Sequence, residues 1–338
     1  MTRKALLFPL LAFLCSTASF AQNSLNKVHH VFVVMMENQD WNNIKGNSSA
    51  PYINNTLLPT SAHSECYMSV QSAANKCRTR NGGLHPSLPN YLWLEGGSNF
   101  GVTDDGNPST DSQPSGTPHL TDQLDAKGIQ WRAYVEDING TVCPLTDSDG
   151  TTVNFVVHHV PFVYFNDVTN NQSSTSQYCI DHVRPYSELV TGLQNSTTCI
   201  SATSRNCVAQ YNFIVPNCFD DMHNTGCNGS NIAAGDTWLS NNVPPIQNST
   251  TYKTDGAVFV VWDEALSGSG KDDTGPMGMI LVSPFAKVGQ ASNAYRTHGS
   301  TLKTIQEIFA VTPLLGNSST ANSPANPGTA DLSDLFAP

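Results

Sequence analysis

The sequence contains no C-x-x-C pair, although it holds nine cysteines among 338 residues. That absence argues against a zinc ribbon or a thioredoxin-like centre. Positive charge is also scarce: 16 Lys and Arg against 27 Asp and Glu leave a formal charge of −11. A surface of that sign repels phosphate backbones, so a nucleic-acid-binding role is disfavoured. Past the N-terminal segment, no apolar run is long enough to span a bilayer, which predicts no transmembrane segment. No repeat, linker or composition break is visible either, so residues 22–338 read as a single domain.

The first residues, MTRKALLFPLLAFLCSTASFAQ, have a separate explanation. Arg3 and Lys4 precede a short apolar stretch, and Ser19-Phe20-Ala21 offers small residues for cleavage, so residues 1–21 are expected to be a signal peptide. The mature protein is then secreted or periplasmic. Cys15 leaves with that segment, and the even number remaining in an exported chain predicts disulfides. Sequence does not fix the pairing; close spacing favours Cys66–Cys77, Cys199–Cys207 and Cys218–Cys227.

Five short apolar runs read as buried strands: Val28–Met36, Ile129–Val135, Tyr211–Val215, Ala257–Trp262 and Met279–Val282. Their Val-rich, non-alternating character suits strands covered on both faces of a largely parallel sheet. Helical stretches are expected at Asn90–Leu94, Leu120–Lys127 and Thr301–Val311. Alternation of the two predicts an α/β fold, a three-layer α/β/α sandwich.

Polar residues follow these strands at their C-terminal ends. The first stops at Glu37-Asn38, the second at Glu136-Asp137, and the fourth at Asp263-Glu264; the third leads to Asp220-Asp221-Met222-His223. Open α/β sheets bind ligands outside the carboxyl ends of their strands. Acids gathered on one rim repel unless a cation sits among them. The oxygen-rich set Glu37, Asn38, Asp263 and Glu264 suits one hard divalent ion better than a thiophilic one. Any single pair could instead be a helix cap or a surface charge.

Ser87 stands in Leu84-His85-Pro86-Ser87-Leu88-Pro89-Asn90-Tyr91, and Pro89 fits the first turn of a helix. Ser87 therefore lies near a helix N-terminus, where free N–H groups and partial positive charge favour an anion such as phosphate. The bland reading is a cap. The competing reading is a nucleophile whose hydroxyl a metal activates. His159, in His158-His159, and His223 are placed to hold phosphoryl oxygens. His298 could equally cap or pack the last helix.

Together these segments resemble the phosphoesterase family of secreted acid phosphatases and phospholipases C, in the alkaline-phosphatase-like superfamily. The similar pieces, in family order, are VFVVMMENQDW, HPSLPNYLWLEGG, HHVPFVYF, FIVPNCFDDMHN, VFVVWDE and THGSTLKTIQEIF. Similarity is greatest to the short single-domain branch, which includes secreted phosphatases acting on phosphoinositides. The resemblance implies a three-layer fold with Glu37, Asn38, Asp263 and Glu264 as ligands of one divalent ion, whether Ca, Mg, Mn, Fe or Zn. It implies Ser87 as covalent nucleophile, with His159 and His223 in the phosphate pocket. His85, Asn90, Asp221 and His298 are the further candidate substrate-binding residues.

The expected activity is that of a metal-assisted acid phosphatase on small phosphate monoesters: sugar phosphates, nucleotides or lipid headgroups. A phospholipase C-type phosphodiesterase would use the same residues. A secreted, calcium-stabilised binding protein without catalysis is the alternative of another class.

Overall fold

The computed structural model describes residues 22–70, 77, 83–147, 154–223, 231–266 and 275–338. The expected signal peptide lies outside the described residues. Eight strands form one sheet: β1 (His30–Met36), β2 (Ala62–Tyr67), β3 (Trp131–Val135), β4 (Val183–Pro185), β5 (Tyr211–Val215), β6 (Gly256–Trp262), β7 (Met277–Val282) and β8 (Ala291–Ser292). Their spatial order is β4-β3-β5-β1-β6-β7-β2-β8. The five strands from β4 to β6 run parallel, β7 is antiparallel to β6 and to β2, and β8 is parallel to β2. The sheet is therefore mixed and mostly parallel, as the non-alternating runs predict.

Every residue of β6 is buried, and so is every residue of β1 after His30, which requires cover on both faces. The first and second runs begin later than expected, at His30 and Trp131, and β7 begins two residues earlier, at Met277. The chain order matters most at the centre. β1 lies between β5 and β6, with Val34 opposite Ile214 on one side and Val260 on the other. The C-terminal ends of those three strands are thus adjacent.

Five helices matter here: α1 (Ser87–Gly96), α2 (Leu120–Ala126), α3 (Tyr186–Asn195), α4 (Ile232–Asn248) and α5 (His298–Ile308). α1 begins at Ser87, three residues before the expected start, and all ten of its residues are buried. It ends at Gly97, whose φ of +69° is the left-handed conformation that glycine adopts at little cost. α5 also begins three residues early, its first turn closed by the Thr297 N–H donating to Ser300 Oγ at 3.2 Å. α4 packs closely because of Gly235, where a Cβ would meet Met222 Cγ at 2.1 Å.

Disulfides Cys66–Cys77 and Cys199–Cys207 are present as expected. A third, Cys143–Cys179, joins residues 36 apart, a pairing that spacing does not favour. Cys218 is also disulfide-bonded, while Cys227 lies outside the described residues. The Asn- and Ser-rich tail is tied down: Trp93 Nε1 donates to the Asn322 carbonyl, and Leu332, Leu335 and Phe336 join the main hydrophobic cluster. Among the described residues, no helix is long and apolar enough to cross a membrane.

Candidate active site

Because β5, β1 and β6 are neighbours, the residues that follow them meet on one rim. Glu37 N–H donates to the Asp221 carbonyl at 2.7 Å, and Asp263 N–H donates to the Met36 carbonyl at 2.9 Å. The β1–β6 ladder thus continues to Asp263, and the Asp221 carbonyl holds the backbone of Glu37 beside it. Asn38 N–H donates to Asp263 Oδ1 at 3.0 Å, and Asn38 Nδ2 lies 3.2 Å from His223 Nε2. Two non-glycine residues here have positive φ, Asn38 at +24° and Met222 at +79°. Such backbone is costly and persists where surrounding contacts over-determine it, as hydrogen bonds to Asp263, His223 and Gln39 do here.

α1 brings the opposite wall. Ser87, its first residue, donates from Oγ to Glu37 Oε2 at 3.2 Å. Tyr91, one turn on, donates to Glu37 Oε1, and His159 Nε2 lies 3.3 Å from that same oxygen. Asn90 Nδ2 donates to Glu264 Oε2 at 3.2 Å, and His85 Nδ1 lies 2.7 Å from it. Glu37, Asn38, Ser87, Asn90, His85, His159, His223, Asp263 and Glu264 are therefore brought together, although they are spread over most of the chain.

Two candidates sit deeper. His298 is wholly buried; its Nε2–H donates to the Asp263 carbonyl, and its Nδ1 accepts from the Tyr67 hydroxyl at 3.0 Å. Asp221 is also buried, and its Oδ1 accepts the His223 N–H at 2.8 Å. Both hold backbone that carries the rim. Glu136, expected on the same rim, is turned to packing instead: it accepts from Trp238 Nε1 at 2.8 Å and from the Asn217 N–H at 2.9 Å.

The electrostatics follow from burial. Burial raises the Glu37 carboxyl well above the usual carboxylate range, and the charges of Asp263 and Asp221 raise it further. Burial likewise raises Asp263, reinforced by the charge of Glu264. The histidines move the other way. Burial, then the neighbouring His158 and His223, push His159 well below its ordinary value. Burial and His158 lower His223, and burial holds His298 near about 4. The rim is a set of buried acids faced by neutral imidazoles, and no described Lys or Arg relieves the acids.

Such a set fits a divalent cation on its donors. Asn38 Oδ1 and Asp263 Oδ2 are buried oxygens without a hydrogen-bond partner, an arrangement that costs free energy unless something fills it. Among the described residues no three His, Cys, Asp or Glu side chains form a ready-made metal cage, so Asn38 and Ser87 would have to complete the donor set. All of these donors are oxygens, which favours a hard ion.

Sequence reasoning missed two buried tyrosines, Tyr91 on Glu37 and Tyr67 behind His298. The helical spacing of Tyr91, four residues after Ser87, was the available signal. Nothing local marks Tyr67.

Known proteins resemble this chain in sequence and in fold. Residues 77–268 match the family model described as the Phosphoesterase family. A phosphatidylinositol-3-phosphatase of Mycobacterium tuberculosis is 27% identical over 295 residues, 86% of this chain and 80% of that protein. A phosphate-repressible acid phosphatase of Penicillium chrysogenum is 30% identical over 53% of this chain but only 38% of its own length. Among solved structures, a member of the alkaline phosphatase superfamily from Vibrio parahaemolyticus superposes with a TM-score of 0.55 at 9% identity, over 92% of this chain and 71% of its own. A lipoteichoic acid synthase of Listeria monocytogenes gives 0.51 at 10% identity, over 92% and 78% respectively. At such identities the structural likeness speaks for the fold.

Proposed function

The chain belongs to the Phosphoesterase family and is a phosphoric ester hydrolase, and we propose that it cleaves phosphate monoesters through a phosphoserine intermediate on Ser87. The observation that carries this reading is the placement of Ser87 Oγ, 3.2 Å from Glu37 Oε2 at the N-terminus of a buried helix. Glu37, Asn38, Asp263 and Glu264 would hold one divalent ion. When bound, that ion would supply Lewis acidity, lowering the Ser87 pKa and offsetting phosphoryl charge.

The chain's own residues do the rest. The helix N-terminus attracts the phosphate and orients Ser87 towards it. Ser87 Oγ gives up its proton to water and attacks phosphorus as the ester oxygen departs in line, and the leaving alkoxide takes a proton from water. His223 donates to a non-bridging oxygen, where charge builds in the transition state, and His159 lines the same pocket. Tyr91 and His159 keep Glu37 in place throughout. Water then attacks the phosphoserine and restores the hydroxyl.

The substrate is a small phosphorylated molecule, and the similarity to a phosphatidylinositol-3-phosphatase over 86% of this chain supports including phosphoinositide headgroups beside sugar phosphates and nucleotides. The disulfides support an oxidising compartment, outside the cell or in the periplasm.

The test is Ser87→Ala with an aryl phosphate, an aryl phosphodiester and phosphatidylcholine as parallel substrates. Wild type should prefer the monoester, and acid-quenched wild type should carry one phosphate on Ser87 by mass spectrometry. Ser87→Ala should melt normally and lose turnover. Retained turnover would remove Ser87 as nucleophile, and dominant diester cleavage would replace the phosphatase reading with a phosphodiesterase.

A further inference from the structure

The loop Asp104-Asp105-Gly106 reaches the site from a segment that none of the site motifs includes. Asp105 Oδ1 accepts the N–H of Leu88, the residue after Ser87, at 2.9 Å. α1 has no acidic residue in its first turn, and its N-cap, Pro86, makes no side-chain cap. Asp105 therefore supplies from 17 residues away the anionic partner that the helix lacks locally.

Its surroundings show that this placement is built. Tyr164, fully buried, donates from its hydroxyl to the Gly106 carbonyl at 2.8 Å, and Gly106 N–H donates to Asp104 Oδ1 at 3.0 Å. Tyr164 belongs to the same segment as the histidine pair. Asp105 Oδ2 is 3.9 Å from His158 Nε2, and the His158 ring stands edge-on to His159 with centroids 4.7 Å apart. One carboxylate thus lies between the N-terminus of the nucleophile helix and the imidazoles of the pocket.

A phosphoryl group arriving at Ser87 would seek the same helix N-terminus. Resting on the phosphatase reading, we propose that Asp105 competes with phosphate for the N-terminus of α1 and so limits retention of the phosphate product. The competition is electrostatic. A carboxylate a few ångströms from a phosphate dianion weakens its binding, and part of the favourable helix potential is already used. The Asp105 side chain keeps about a third of its surface exposed (32%), so the repulsion is screened by salt.

The experiment is calorimetric titration of the full protein, with the metal content it carries as purified, using inorganic phosphate as the probe. Asp105→Asn removes the charge while keeping an oxygen for the Leu88 N–H, so it should melt close to wild type. Phosphate should bind about fivefold more tightly to Asp105→Asn at low ionic strength, with the difference shrinking as salt is added. The inhibition constant of phosphate in the aryl phosphate assay should fall by the same factor. Asp104→Asn makes the same charge change without touching α1 and should shift phosphate affinity far less. Equal, weaker or absent phosphate binding by Asp105→Asn overturns the proposal, as does an equal gain in Asp104→Asn. A wild type without monoesterase activity would defeat the phosphatase reading instead, and the calorimetric comparison would still decide the role of Asp105.

Discussion

Tyr91 and His159 lie face to face, with ring centroids 5.1 Å apart and planes 8° from parallel, and both reach Oε1 of Glu37. A residue from α1 and one from the histidine segment thus clamp the same carboxylate oxygen. Tyr91→Phe keeps the stack and removes one donor from a buried acid. The expected outcome is a stability loss of about 1–3 kcal/mol by urea unfolding. Turnover should fall roughly tenfold, equivalent to about 1.4 kcal/mol of transition-state stabilisation. Unchanged melting and turnover together would mean that Glu37 does not depend on this bond.

The central strands were readable because burial on both faces forces continuous apolar runs, and His30–Met36 and Gly256–Trp262 are of that kind. Their polar endings exposed the rim for the same reason: an acid directly after such a run needs an explanation. The edge of the sheet was not readable. Val183–Pro185 and Ala291–Ser292 are too short to show a period, and Ala62–Tyr67 mixes His63, Ser64 and Glu65 into its pattern. α4 contains Pro244-Pro245, which breaks the helical reading of a sequence that nonetheless continues to Asn248. Glu136 shows the limit of a strand-end rule. Its position matches Glu37, yet Trp238 from α4 claims its carboxylate, and no local pattern announces a partner 102 residues away.

The donor set predicts metal content directly. Asn38 Oδ1 and Asp263 Oδ2 are buried oxygens of this donor set left without partners, so they are atoms an ion would satisfy. Elemental analysis of dialysed wild type should find about one divalent ion per chain, and chelation should lower its melting temperature. Asn38→Ala should lose the metal and much of the response to chelator. A wild type that melts identically with and without chelator, and carries no ion, would reject the assignment of these residues as ligands.

A second buried acid–base cluster, away from that rim, predicts a pH effect on stability. His119 stacks on Phe165 and lies 3.0 Å from Glu95 and 3.3 Å from Asp167. Burial alone would lower its pKa, but hydrogen bonds to Asp167 and Glu95 outweigh burial and raise it to about 9. A histidine raised in the folded state stabilises fully below its unfolded value of about 6.5, and that contribution is lost as pH rises through 9. The shift corresponds to about 3 kcal/mol as an order of magnitude. Melting at pH 6 and pH 9.5 should therefore differ more for wild type than for His119→Gln, and an equal difference in both would show that His119 is neutral throughout.

The Cys143–Cys179 disulfide encloses the segment that carries His158, His159 and Tyr164, so its removal tests how that wall of the site is held. Loop-closure entropy for a separation of 36 residues gives about 4 kcal/mol, against roughly 2.5 kcal/mol for the 8-residue separation of Cys199–Cys207. Cys143→Ala/Cys179→Ala should consequently lose more stability in denaturant than Cys199→Ala/Cys207→Ala. The kinetic consequence should be smaller. His159 is also fixed by Glu37 and by the Tyr91 ring, contacts that survive loss of the cross-link while the chain stays folded. Turnover of an aryl phosphate, measured well below the melting temperature, should fall less than tenfold. A loss as deep as that of Ser87→Ala, with the fold intact, would show that the disulfide, rather than these contacts, holds the histidine wall in place.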